Sequence, residues 1–199
     1  MNVPGYKFYF NPASENLDVI LPGSSAGMDS QFIIKIWNAS KRAGNSSVAF
    51  NFPYFERGET NSSGKELPEE IEALRIILTV CKSEDYKTIR LIGKSLGGIV
   101  ASYYLKTLSQ EEQNKYSVVI FGYVPGSTDL KTFPGKIDIV QGSKDKFGAM
   151  EQVKIDMEKA LSKDVSYYLV ECGDHGYKDP ETNEPEFEDK AIEFVFPGN

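Results

Sequence analysis

Short runs of β-branched and aromatic residues recur along the chain, separated by longer segments whose apolar positions follow helical spacing. Seven runs read as strands: Tyr6 to Phe10, Leu17 to Leu21, Val48 to Phe52, Ile89 to Ile92, Val118 to Phe121, Ile137 to Gln141 and Val165 to Val170. Val118-Val119-Ile120-Phe121 is apolar at every position, the pattern of a parallel strand covered on both faces. Tyr6 to Phe10 and Leu17 to Leu21, joined through the Asn11-Pro12 turn, also admit an antiparallel pairing at a sheet edge. Helical segments lie between the strands at Asp29 to Ala43, Pro68 to Lys82, Leu96 to Leu108, Met150 to Ser162 and Asp189 to Phe194. Ile71, Leu74, Ile77 and Leu78 fall on one helical face, and Pro68 followed by Glu69 and Glu70 suits a helix start.

Strands alternating with helices predict an α/β fold: a doubly wound, mostly parallel sheet of seven strands with helices on both faces. No repeat, low-complexity tract or linker divides the chain, so one domain spanning 1–199 is expected. The least regular stretch, Pro53 to Leu67, reads as a long loop at a sheet edge that borders a binding site. Between Gly122 and Ile137 no helical pattern is long enough for a substantial cap, so an open, shallow site is expected.

Composition narrows the function classes. A formal net charge of −7, with Lys and Arg in no cluster, argues against a nucleic-acid partner. No apolar run approaches the roughly 18 residues of a membrane helix, and Met1 to Tyr6 lack the basic-then-apolar pattern of a secretory signal. The two cysteines, Cys81 and Cys172, have neither metal-binding nor disulfide-scaffold spacing. Both are expected to be buried thiols, and the location cytoplasmic.

The sharpest chemical signal is Ile89-Arg90-Leu91-Ile92-Gly93-Lys94-Ser95-Leu96-Gly97-Gly98, an apolar strand running into Gly-x-Ser-x-Gly and then a helical pattern. A serine on so sharp a strand-to-helix turn is backbone-strained, and only small residues two before and two after it avoid collision. A phosphate-binding loop would need glycine at position 88, which is Thr88. The competing structural role is a packing turn with Ser95 as helix N-cap. His175 is the only histidine, and it follows the last predicted strand in Glu171-Cys172-Gly173-Asp174-His175-Gly176, where open α/β sheets carry their sites. A Ser-His mechanism must therefore use Ser95 and His175.

The acid that orients the histidine should lie between them in chain order. Asp145, in the Gly142-Ser143-Lys144-Asp145 turn after the penultimate strand, is the first choice and Asp129 the second; Asp138 and Asp174 read as structural. Oxyanion-binding amides are expected at Leu96 and, from Leu21-Pro22-Gly23-Ser24-Ser25, at Ser24, with Ser25 second.

These motifs together, from Leu21-Pro22-Gly23 through Gly93-Lys94-Ser95-Leu96-Gly97-Gly98 and Gly142-Ser143-Lys144-Asp145 to Gly173-Asp174-His175-Gly176, resemble the α/β-hydrolase superfamily. Within it the chain is similar to the small, lid-poor hydrolases related to dienelactone hydrolase. Two features depart from those relatives: Pro22-Gly23 stands where many carry His-Gly, and Ser95 where dienelactone hydrolases proper use cysteine. The resemblance implies hydrolysis of a small-molecule ester, thioester or related acyl compound, with no cofactor and no metal. A non-catalytic binding protein on the same fold, and an acyltransferase using the same acyl-enzyme, are the alternatives.

Overall fold

The computed structural model describes residues 2–198. Seven strands form one sheet: β1 (Tyr6–Tyr9), β2 (Asn16–Leu21), β3 (Ser46–Phe50), β4 (Thr88–Lys94), β5 (Tyr116–Phe121), β6 (Ile137–Gly142) and β7 (Val165–Val170). Their spatial order is β1-β3-β2-β4-β5-β6-β7, with every neighbouring pair parallel except β1 and β3. The helices are α1 (Gln31–Arg42), α2 (Pro53–Glu56), α3 (Pro68–Val80), α4 (Leu96–Lys106), α5 (Gln110–Gln113), α6 (Met150–Met157) and α7 (Glu188–Val195). The doubly wound sheet expected from the sequence is therefore present.

Its central strands are largely apolar because both faces are covered. Leu91, Val118 and Ile120 pack with Leu74 and Ile77 of α3, Val100 and Leu105 of α4 and Val153 of α6. Ile92, Val119 and Phe121 pack on the other face with Phe32, Ile33 and Ile36 of α1 and Ala191 and Ile192 of α7. Alternate residues of one strand thus feed two cores, as a period of two requires. At the N-terminal end of the strands, buried Asp18 of β2 accepts hydrogen bonds from Ser40, Asn45 and the Nε and Nη2 of Arg90. Four donors satisfy a carboxylate that would otherwise be costly to bury.

Three expectations are corrected. β1 pairs with β3, Tyr6 opposite Phe50, and not with β2. Strand β2 has no edge to offer, because β3 and β4 occupy both of its sides and Leu17 to Leu21 are buried. Cys81 is buried as expected, but Cys172 is exposed, since it lies beyond β7 in a left-handed backbone conformation (φ 65°). The Pro53 to Leu67 stretch begins with α2, and its residues support a neighbouring loop without lining the main cleft. In that support Tyr54 donates from its hydroxyl to the Ser24 carbonyl at 2.7 Å.

Glycines set how closely α4 approaches the sheet. A Cβ on Gly97 would stand 2.3 Å from the Leu21 carbonyl oxygen, and one on Gly93 2.3 Å from the Gly98 nitrogen. Both obstacles are backbone, so no side chain can swing away. Gly97→Ala must lift α4 off β2, with an expected loss of about 3 kcal/mol, measured as a fall in the urea midpoint.

Candidate active site

The chain leaves β2 toward β3 on one side and returns to β4 on the other, which opens a crevice at the C-terminal ends of β2 and β4. Five strand ends meet there. β2 leads into Pro22-Gly23-Ser24-Ser25, β4 into Ser95, β5 into Gly122, β6 toward Asp145 and β7 toward His175. Gly142 allows the last two loops to touch, since a Cβ on it would stand 2.2 Å from the Gly173 carbonyl oxygen.

Ser95 sits at φ 50° and ψ −111°, strained for a residue with a side chain. Its amide donates to the Phe121 carbonyl at 2.9 Å, which ties the turn to β5. Ser95 occupies the N-cap position of α4, yet its side chain makes no capping bond. The hydroxyl instead lies 2.8 Å from His175 Nε2. His175 Nδ1 lies 2.7 Å from Asp145 Oδ2.

A carboxylate can only accept, so Nδ1 carries the ring hydrogen and the Nε2 lone pair faces the serine hydroxyl. The arrangement can draw the hydroxyl proton onto the imidazole. Asp145 is itself fixed: Gln141 Nε2 donates to Oδ2 at 3.0 Å, and the Phe147 amide donates to Oδ1 at 2.8 Å. The Phe147 ring packs against the imidazole with centroids 4.5 Å apart.

Of the other acids weighed, Asp129 is engaged elsewhere, accepting from Lys106 at 2.8 Å, and that ammonium holds its carboxyl below the usual range. Asp174 Oδ1 accepts the amides of Gly176 and Lys178, and Asp138 is paired with Lys136 at 3.3 Å.

Residues 16–195 match the family described as "alpha/beta hydrolase domain". The chain belongs to this family. Solved structures show the same fold at low identity. A protein of unknown function from Agrobacterium tumefaciens aligns with a TM-score of 0.72 at 16% identity, over 96% of this chain and 88% of that one. An alpha-beta serine hydrolase homologue from Coxiella burnetii aligns at 0.67 and 16% identity, over 98% and 99%. A serine hydrolase without a lid from Xanthomonas campestris aligns at 0.68 and 16% identity, over 98% and 89%. A search of curated proteins by sequence finds no match.

In this alpha/beta hydrolase a cleft of about 530 Å³ opens over Ser95 and His175. Gly23, Ser24 and Ser25 form one side of it, and Phe32, Ile33 and Phe147 supply apolar wall. Ser24, the expected second oxyanion donor, thus lies at the cleft. Leu96, the expected first donor, is the opening residue of α4, where helix amides have no intrahelical acceptor. No helix forms between β5 and β6, consistent with the expected lack of a cap. Among the described residues no group of three or more His, Cys, Asp or Glu side chains could hold a metal ion, and no helix is long and apolar enough to cross a membrane.

Two site residues escaped the sequence reading. Gln141 lies one residue before the end of β6, and its fully buried amide bridges Asp145, the Tyr123 backbone and the Gly148 carbonyl. A polar residue at the C-terminal end of a core strand was the available signal. Lys94 lines the cleft beside Ser95 and donates to the His175 carbonyl at 2.6 Å. Its position inside the Gly-x-Ser-x-Gly motif carried no side-chain requirement that would have marked it.

Proposed function

We propose that the protein is a serine hydrolase that cleaves an ester, thioester or related acyl bond through an acyl-enzyme on Ser95. His175 takes the Ser95 proton as the hydroxyl oxygen attacks the acyl carbon, and returns it to the leaving group as the tetrahedral intermediate collapses. Water then attacks the acyl-enzyme, giving its proton to His175, and Ser95 leaves as the free hydroxyl with the acid released. Asp145 holds the imidazole in the required tautomer and stabilises the imidazolium between the two transfers. The amides of Leu96 and Ser24 receive the developing oxyanion, in a setting where the N-terminal end of α4 adds a favourable dipole. No step requires a cofactor.

The observation that carries this reading is the continuous contact from Asp145 through His175 to Ser95, in which the serine hydroxyl forgoes helix capping for the imidazole. A non-catalytic binding protein on this fold would have no use for a strained serine directed at a histidine base. Covalent labelling by a fluorophosphonate tests the proposal, because it demands an activated serine. Purified protein should label with one adduct per chain at Ser95. Absence of labelling, or an adduct at another residue, rejects the mechanism.

A further inference from the structure

His175 is gripped by two consecutive residues of the chain. Ser95 meets its ring, and Lys94 Nζ donates to its backbone carbonyl at 2.6 Å. The ammonium can reach that carbonyl because Gly122 leaves room for it. A Cβ on Gly122 would stand 2.8 Å from Nζ and 2.9 Å from the imidazole Cε1.

The loop thus held needs holding. Cys172 (φ 65°) and Tyr177 (φ 59°) bracket His175 in left-handed backbone conformations, which are unfavourable for a residue with a side chain. The Lys144 amide to the Gly173 carbonyl, the Asp174 carboxylate to two amides, and the buried Tyr177 hydroxyl to the Val140 carbonyl fix the loop around His175. Lys94 fixes His175 itself, through a charge-assisted bond of roughly twice the strength of a neutral one.

Resting on the serine-hydrolase reading above, we propose that Lys94 is a positioning residue: its ammonium pins the His175 backbone so that the imidazole stays in register with Ser95, and activity falls when the charge behind that bond is removed. The charged and titratable groups around it are Asp145 from the loop after β6 and Asp174, His175 and Tyr177 from the loop after β7. The loops after β2 and β5 contribute uncharged Gly23 and Gly122. Burial pushes the Lys94 pKa down to about 8, against the opposing pull of Asp145 and Asp174, so the loss falls in an accessible range. A displacement of the imidazole by about 1 Å is enough to lower the rate by roughly 10².

The experiment measures the fluorophosphonate labelling rate from pH 6 to 10, in wild type and in Lys94→Met, beside thermal melts of both. Wild-type labelling should fall above pH 8, by about tenfold toward pH 10. Lys94→Met should label about 10- to 100-fold more slowly at pH 7 and show no such fall.

Stability moves the other way. Between pH 8 and 10.5 the unfolded chain keeps the Lys94 proton that the folded chain has released, so wild type gains stability relative to Lys94→Met as pH rises. A fall in labelling while relative stability rises cannot come from loss of the fold, and this separates positioning from a merely structural role. If Lys94→Met does not fold, the wild-type profile alone decides. A wild type that labels equally well at pH 8 and pH 10, or a Lys94→Met protein that labels at the wild-type rate, overturns the inference alone. A wild type that labels at no pH overturns the serine-hydrolase reading and this inference with it.

Discussion

Ser95→Ala should fold like the wild type and lose the proposed ester hydrolysis by roughly 10³ to 10⁶ in kcat. The change removes one oxygen that makes no capping bond and contacts His175, so little packing is lost with it. Relief of the φ 50° strain is not expected, since alanine also carries a Cβ. A circular-dichroism melt should therefore superpose on that of the wild type while turnover of chromogenic esters of increasing acyl length disappears. His175→Ala should be comparably inactive, because the chain has no second histidine to serve as base. A Ser95→Ala protein with wild-type turnover would move the chemistry elsewhere.

The fold was legible because its core strands are covered on both faces, which favours apolar clusters such as Val19-Ile20-Leu21 in β2, Leu91-Ile92 in β4 and Val118-Val119-Ile120-Phe121 in β5. What was not legible is pairing that depends on edges. The β1 pattern of alternating exposure fits any strand with a free side, and only the burial of β2 between β3 and β4 sends it to β3. Cys172 shows a related limit, because a small apolar residue two positions past a strand is buried or exposed according to the turn it enters.

The site divides along similar lines. Ser95 and His175 stood out as candidates because one carries a steric signature and the other is unique. Lys94 and Gln141 act through contacts between loops remote in sequence, to His175 and to the turn bearing Asp145, and no local spacing encodes those contacts. Gly122 belongs with them. Its φ of 71° and the proximity of the imidazole explain the glycine only once β5 and the His175 loop are side by side.

Asp145 carries the remaining large effect. Both of its oxygens receive donors: the imidazole Nδ1 and Gln141 Nε2 at Oδ2, and the Phe147 amide at Oδ1. An asparagine there must place its NH₂ group toward one set of donors. Turned toward Oδ2 it faces His175 and Gln141, and the imidazole shifts to the tautomer that cannot accept from Ser95. Turned the other way it faces the Phe147 amide, and the negative charge that stabilises the imidazolium is gone in either case.

Asp145→Asn should therefore lower kcat by about 10² to 10⁴. The buried donor opposite donor should also cost about 1 to 3 kcal/mol of stability, read as a lower melting temperature. Asp129→Asn, measured on the same ester, loses an ion pair with the exposed Lys106. Both quantities should stay close to wild type, because exposed pairs contribute little. An inactive Asp129→Asn beside an active Asp145→Asn would transfer the orienting role to the loop after β5, while leaving Ser95 and His175 as nucleophile and base.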